Sequence, residues 1–186
     1  MNLPNRLTML RIILVPVFCF FLCMEDWAGQ LIAMLIFIVA SLTDLLDGYI
    51  ARRDNLITDF GKLVDPIADK LLITSAMIFM VAQNRMSAAV VLIFVAREFI
   101  VSAFRMLAAS RGTVIAADKL GKYKTATQTL AVILLILFKP AGSSPALLGA
   151  VGAIAADLVT YVSLALSVIS CADYIYKNRS IIDRQL

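Results

Sequence analysis

The residues best suited to chemistry lie between Asp44 and Asp69. They read Asp44-Leu-Leu-Asp47-Gly48-Tyr-Ile-Ala51-Arg52 and, eight residues later, Gly61-Lys-Leu-Val-Asp65-Pro-Ile-Ala-Asp69. Four carboxylates and a guanidinium in a largely apolar setting cost several kcal/mol if they face lipid, so they mark a site. On a helix, Asp44, Asp47, Gly48 and Ala51 share one stripe. Gly61, Asp65 and Asp69, at i, i+4 and i+8, share another if the third helix reaches back that far. Two carboxylate stripes facing each other form an oxygen-lined cage, the donor set of a hard divalent cation. Gly48 and Ala51 leave an open floor for a flat ligand, and Arg52 offers a fork matched to phosphate.

The charge balance favours two ions over one. Two Mg²⁺ bring four positive charges against four aspartates, and Mn²⁺ is the alternative ion. Paired metals polarise a phosphoryl group, and the attacking nucleophile then needs a base. Histidine is absent from the chain, which removes Ser-His-Asp and Cys-His catalysis and histidine-bound metals. Asp69, last in the row, is the candidate base. Cys19, Cys23 and Cys171 lie in apolar runs without metal-ligand spacing and read as small buried hydrophobes.

The elements that must position this stretch follow from composition. Of 186 residues, 61% are hydrophobic and 16% charged, which is too apolar for a soluble domain. Long apolar runs favour helices over a barrel. The expectation is an all-α polytopic membrane protein, one domain over residues 1–186, with six transmembrane helices. These run near Ile12–Met24, Leu31–Arg52, Asp65–Gln83, Ala88–Ala109, Lys124–Phe138 and Ala146–Tyr174. Asn2 to Arg11, alternating Leu with Asn, Arg and Thr, reads as a short amphipathic interfacial helix ahead of the first span. Asp65 before Pro66 has the form of an N-cap. The first apolar segment lacks a small-residue cleavage site and reads as a retained helix rather than a signal peptide. The N-terminus, the 52–62 and 111–124 connections and the tail hold 12 of the 17 Lys and Arg. The positive-inside rule then puts both termini and all four aspartates on the cytoplasmic side.

The spacing Asp44-x₂-Asp47-Gly48-x₂-Ala51-Arg52-x₈-Gly61-x₃-Asp65-x₃-Asp69 resembles the signature of the CDP-alcohol phosphotransferase family in every fixed position. That resemblance implies Asp44 and Asp65 bridging two metals, Asp47 on the first, and Asp69 on the second while accepting the proton. It implies CDP-diacylglycerol contacts at Asn5, Thr8, Gly48, Ala51, Arg52, Thr58 and Gly61. The opening Asn-Leu-Pro-Asn-Arg-Leu-Thr-x-x-Arg, Ala96-Arg97-Glu98-Phe99 and Gly121-Lys122-Tyr123-Lys124-Thr125 resemble the bacterial branch that uses sn-glycerol 3-phosphate as acceptor. Arg105, Lys122 and Lys124 are then the candidates for the acceptor phosphate, set against plain positive-inside anchoring. Arg97 and Glu98 read as helix-to-helix bonds. The implied partners are CDP-diacylglycerol, glycerol 3-phosphate and membrane lipid, with no nucleic acid, in a homodimer at the bacterial cytoplasmic membrane. Serine, inositol phosphate and phosphatidylglycerol are the alternative acceptors. A divalent-cation transporter is the competing class, disfavoured because no acids continue a path across the outer half. An inactive lipid-binding protein is the third reading. Asp157, far from the motif, reads as a packing or dimer contact.

Overall fold

The structure, a computed structural model, describes residues 3–24, 26–53, 59–110, 119–138 and 147–179, without the side chains of 3–4, 45–52, 59–60, 62–63, 66, 119 and 147–148. Every regular element among the described residues is helical: α1 (Leu3–Leu22), α2 (Trp27–Arg53), α3 (Asp59–Ala82), α4 (Ala88–Ser110), α5 (Lys119–Phe138) and α6 (Leu147–Lys177). Three of them, α1, α2 and α6, carry windows long and apolar enough to cross a membrane. Helix α1 packs on α2 and α3, α5 packs on α2 and α6, and α4 lies along α6.

Several polar groups are turned inward beside an apolar core, and many large apolar groups face outward. Buried Asn5, Thr8, Arg11, Val15, Phe18 and Leu22 form one stripe of α1, polar at its start and apolar at its end. On α6 the inner stripe is Gly152, Ala156, Thr160, Ser163, Ser167, Ser170 and Tyr174. Leu10, Ile13, Val17 and Phe20 on α1, and Ile154, Leu158 and Tyr161 on α6, face outward. Water would penalise such a surface and hydrocarbon would not, so this is the distribution of a membrane protein. Between the stripes, Phe18 meets Phe37 with ring centroids 5.6 Å apart, and Ala33, Ala40, Ala76 and Ala156 let the helices approach.

Helix ends are closed by side chains and tight turns. The Gly29 amide donates to Asp26 Oδ2 at 3.1 Å, an N-cap for α2. Helix α3 ends in a Schellman turn. Asn84 takes the left-handed conformation at φ 57°, its amide donates to Val81 O at 3.0 Å, and the Arg85 amide donates to Met80 O at 2.8 Å.

Two boundaries differ from the sequence expectation in ways that matter. Residues 3–11 continue into the first apolar run as one helix, without a break between a lead-in and a span. Helix α3 begins at Asp59, so Asp65 sits inside the helix rather than capping it. The cap reading rested on Pro66, whose missing amide suits a helix start, yet the chain is already helical from Asp59. That early start places Gly61, Asp65 and Asp69 on one continuous helical stripe.

The close approach of α5 and α6 depends on Gly152. A Cβ there would fall against the Phe138 ring. Gly152→Ala is expected to destabilise the protein by about 1–3 kcal/mol through overpacking. Gly121→Ala, which meets nothing nearer than Arg97 Nη2 at 3.9 Å, should be neutral or slightly stabilising in its helix. Thermal unfolding of both variants in detergent checks the contrast.

Candidate active site

Three helices converge at the end of the bundle where α2 finishes and α1 and α3 begin. Helix α2 carries Asp44, α3 carries Asp65 and Asp69, and α1 supplies the groups that meet them. Arg11 Nη1 lies 2.5 Å from Asp44 Oδ1, and the Arg11 side chain is wholly buried. One turn earlier on the same stripe, the Thr8 hydroxyl donates to Asp65 Oδ1 at 2.5 Å. Asn5, one further turn back, is also buried. Gly61, one turn before Asp65, is buried with them.

A second charged cluster borders the first. Lys124 on α5, almost fully buried, donates to Glu98 Oε1 on α4. Arg97 Nη1 reaches the same carboxylate oxygen at 3.1 Å, and its Nη2 donates to Ser170 Oγ on α6 at 3.0 Å. Lys70 on α3 donates to Ser102 Oγ on α4 at 2.5 Å. Asp69 connects the clusters, because it lies within electrostatic reach of Asp44 and Arg11 on one side and of Glu98 and Lys124 on the other.

Each expected site residue can now be placed. Asp44, Asp65 and Asp69 come to one end of the bundle. Thr8, expected against the nucleotide, touches Asp65, and Asn5 lies on the same buried stripe. The backbones of Asp47, Gly48, Ala51 and Arg52 are in α2, but their side chains lie outside the described residues, as does Thr58 altogether. Of the three cations expected near the acceptor phosphate, Lys124 is turned into the bundle toward Glu98 and Asp69. Lys122 is exposed, and the Arg105 guanidinium lies over the Tyr174 ring, 5.9 Å from its centroid. Arg97 and Glu98, expected to bond neighbouring helices, bond to α6 and α5.

The part played by Arg11 and the pairing of Glu98 with Lys124 were not foreseen from sequence. Arg11 entered as the end of the lead-in and the last residue of the quoted opening motif, with no role assigned, although its i+3 spacing from Thr8 already put both on one stripe. Glu98 as the counter-ion of Lys124 had no local signal, since the two are 26 residues apart.

The donors at this end fit a hard divalent cation in kind. They are carboxylate and hydroxyl oxygens, with neither imidazole nor thiolate among them. The Arg11 guanidinium against Asp44 shows that this corner accommodates positive charge. Among the described residues no three acidic groups close on one point, and the Asp47 side chain is not among them.

Comparison with known proteins points the same way. A family model described as CDP-alcohol phosphatidyltransferase matches residues 1–172. A Bacillus subtilis protein named CDP-diacylglycerol–glycerol-3-phosphate 3-phosphatidyltransferase is 39% identical, with 95% of each chain covered. A Rickettsia felis protein of the same name is 37% identical over 93% of each chain. An Arabidopsis thaliana protein of that name, numbered 2, is 34% identical over 95% of this chain and 79% of its own. The matched family is in general dependent on a divalent metal.

Proposed function

Because the chain belongs to the CDP-alcohol phosphatidyltransferase family, we propose that it transfers the phosphatidyl group of CDP-diacylglycerol to sn-glycerol 3-phosphate, forming phosphatidylglycerophosphate and CMP. The observation that carries this reading is the meeting of α1, α2 and α3 at Asp44 and Asp65, with Asp69 one turn further on. It is supported by relatives named for this reaction that cover nearly the whole chain.

In this reading Asp44, Asp47, Asp65 and Asp69 would hold two divalent ions, Mg²⁺ or Mn²⁺, whose charge would polarise the phosphoryl group and favour departure of the leaving oxygen. Asp69 takes the proton from the primary hydroxyl of glycerol 3-phosphate. The hydroxyl oxygen forms its bond to the lipid-bearing phosphorus, and the bond from that phosphorus to the CMP oxygen breaks. Gly48, Ala51 and Gly61 leave room for the nucleotide, while Arg52 and Thr58 bind the diphosphate and cytidine end. Asn5 and Thr8 close that side from α1. Lys124 faces the acceptor's phosphate, held in position by Glu98, and Arg105 and Lys122 supply further positive charge at the same end. A phosphate on the acceptor offers Lys124, Arg105 and Lys122 up to two negative charges and three oxygens, where serine's carboxylate offers one charge and two oxygens.

The whole chain is one domain in this reading, and all six helices cross the bacterial cytoplasmic membrane as part of a homodimer. At 1.5 Å per residue, the 20 residues of α5, the shortest element with α1, span about 30 Å, the thickness of a hydrocarbon core. Both termini and the aspartates then face the cytoplasm. The check is a cysteine at Asn84 or at Ser110 in a background lacking the three native cysteines. Asn84→Cys should label from outside intact cells, and Ser110→Cys only after permeabilisation. The opposite pattern would put the aspartates on the wrong side for a cytosolic acceptor.

The reaction itself is tested with purified protein and CDP-diacylglycerol, offered glycerol 3-phosphate, serine, inositol phosphate and phosphatidylglycerol in turn. Metal-dependent CMP release with glycerol 3-phosphate is the expected result. Preference for another acceptor would overturn the assignment within the family, and no CMP release with any acceptor would overturn the enzymatic reading.

A further inference from the structure

A second polar site lies at the opposite end of the bundle from the aspartates. Between the end of α3, the start of α4 and the middle of α6 is a cavity of about 400 Å³, lined by Asn84, Arg85, Ser87, Asp157, Thr160 and Tyr161 together with Met86 and Val90. That volume is within the range of small-ligand sites. Thirteen helical steps from Asp69 to Ala82 put it about 20 Å along α3 from the candidate active site.

Arg85 is built into this cavity and only 4% exposed. The Schellman turn fixes its backbone, and its Nη2 donates to Gln30 Oε1 at 2.8 Å. Gln30 is itself held, donating through Nε2 to Leu22 O at 3.0 Å and also to Met24 O. Gln83 donates to the same Leu22 carbonyl at 2.6 Å. The Nε and Nη1 donors of Arg85 have no hydrogen-bond partner among the described residues. Burial pushes its guanidinium down to about 10, so it stays charged at neutral pH. Buried charged donors left unmatched cost more than about 1–3 kcal/mol, and this arrangement fits an oxyanion ligand.

Asp157 lines the same cavity. It has contacts of its own in the fold, and a carboxylate has lone pairs for several donors. A ligand carrying only negative charge would face Asp157, and one carrying only positive charge would face Arg85. A ligand with both, separated by a short linker, meets both favourably. From Tyr161 at the cavity's edge, exposed Leu158 and Ile154 continue an apolar surface, a bed for an acyl chain rather than a rim for a soluble metabolite.

We propose that this cavity binds the headgroup of a zwitterionic phospholipid with a primary ammonium, its phosphate on Arg85 and its ammonium toward Asp157. The site goes beyond the transfer reaction and uses none of its residues.

Native mass spectrometry of the purified protein, equilibrated with equal amounts of phosphatidylethanolamine, phosphatidylcholine and phosphatidylglycerol, tests it. Phosphatidylethanolamine should be retained about tenfold over the other two, the scale of one charge-assisted hydrogen bond. Asp157→Asn keeps the shape and should abolish that preference, and Arg85→Gln should lower retention of all three lipids. If Arg85→Gln does not fold, Asp157→Asn decides alone. Equal retention by the unaltered protein overturns the proposal, as does a preference that survives Asp157→Asn. Occupancy by free O-phosphoethanolamine without any lipid selectivity overturns the lipid assignment in favour of a soluble phosphate ester. Dissociation of a dimer by Asp157→Asn, without lipid selectivity, would assign the face to a second copy of the chain instead. Phosphatidyl transfer by Asp157→Asn should remain at the unaltered level, so failure here leaves the reaction assignment untouched.

Discussion

Asp69→Asn should abolish turnover while leaving a folded, membrane-inserted protein. The amide is nearly the shape of the carboxylate but has no basic oxygen to take the proton of the attacking hydroxyl. General-base catalysis is worth about 10²–10⁴-fold, and any disturbance of metal binding adds to the loss. No histidine exists anywhere in the chain to take over. The neighbours of Asp69 include Asp44 and Glu98, but Arg11 occupies the first and Lys124 the second, so neither is a ready substitute. CDP-diacylglycerol should still bind, and raising Mg²⁺ should not restore the rate. Recovery in excess metal would show that Asp69 is a ligand only. Near-normal turnover without extra metal would move the proton to another residue.

Glu98→Ala should be the most damaging single change to stability. It removes the carboxylate that serves both Lys124 and Arg97, leaving two cations close together in a mostly buried setting. Breaking a buried ion pair from one side costs about 3–5 kcal/mol. Lys124→Met should cost less, because Glu98 keeps Arg97 at 3.1 Å and the methionine fills the space. The double variant Glu98→Ala, Lys124→Met should recover much of the loss, since one buried cation has gone with the anion. Chemical denaturation in detergent yields all three values. Equal losses from the two single changes, with simple addition in the double, would mean that the pair is solvated and contributes little.

Periodicity within a helix was legible before any coordinates. Asp44, Asp65 and Asp69 were identified by type and spacing, and the stripe through Gly61 required only that α3 begin early, as it does. The Asp65 cap reading failed because proline is a local signal that suits a helix start without requiring one, and the helix already runs from Asp59. The partners of these residues were not legible for a related reason. Arg11 and Asp44 are 33 residues apart, and Thr8 and Asp65 are 57 apart. Spacing along one helix says which residues share a face, and nothing about which helix that face will meet. Arg97 and Glu98 were anticipated as interhelical bonds because a charge on an apolar helix must find a partner. Which partners they would find, Ser170 and Lys124, depended on the arrangement of α4, α5 and α6.

The buried stripe of α1 has a consequence for biosynthesis. Helix α1 leaves the ribosome before α2 and α3, yet the carboxylates that Arg11 and Thr8 meet belong to those two helices. At roughly 5–20 residues per second, the 57 residues between Thr8 and Asp65 take about 3–11 seconds to make. Asp44, which meets the Arg11 guanidinium, is made 33 residues after it, and Asp65, which meets Thr8, comes last. An arginine on a lone helix at the bilayer centre costs about 2.5–3.5 kcal/mol, and near an end it can reach headgroup phosphates instead. The first helix is therefore expected to wait with its N-terminal turns at the membrane surface and to dock only after Asp65 has been synthesised. Site-specific crosslinking between α1 and α2 in arrested nascent chains should appear late, after α3 is complete. Full crosslinking in chains that stop before Asp59 would show that α1 settles on α2 alone.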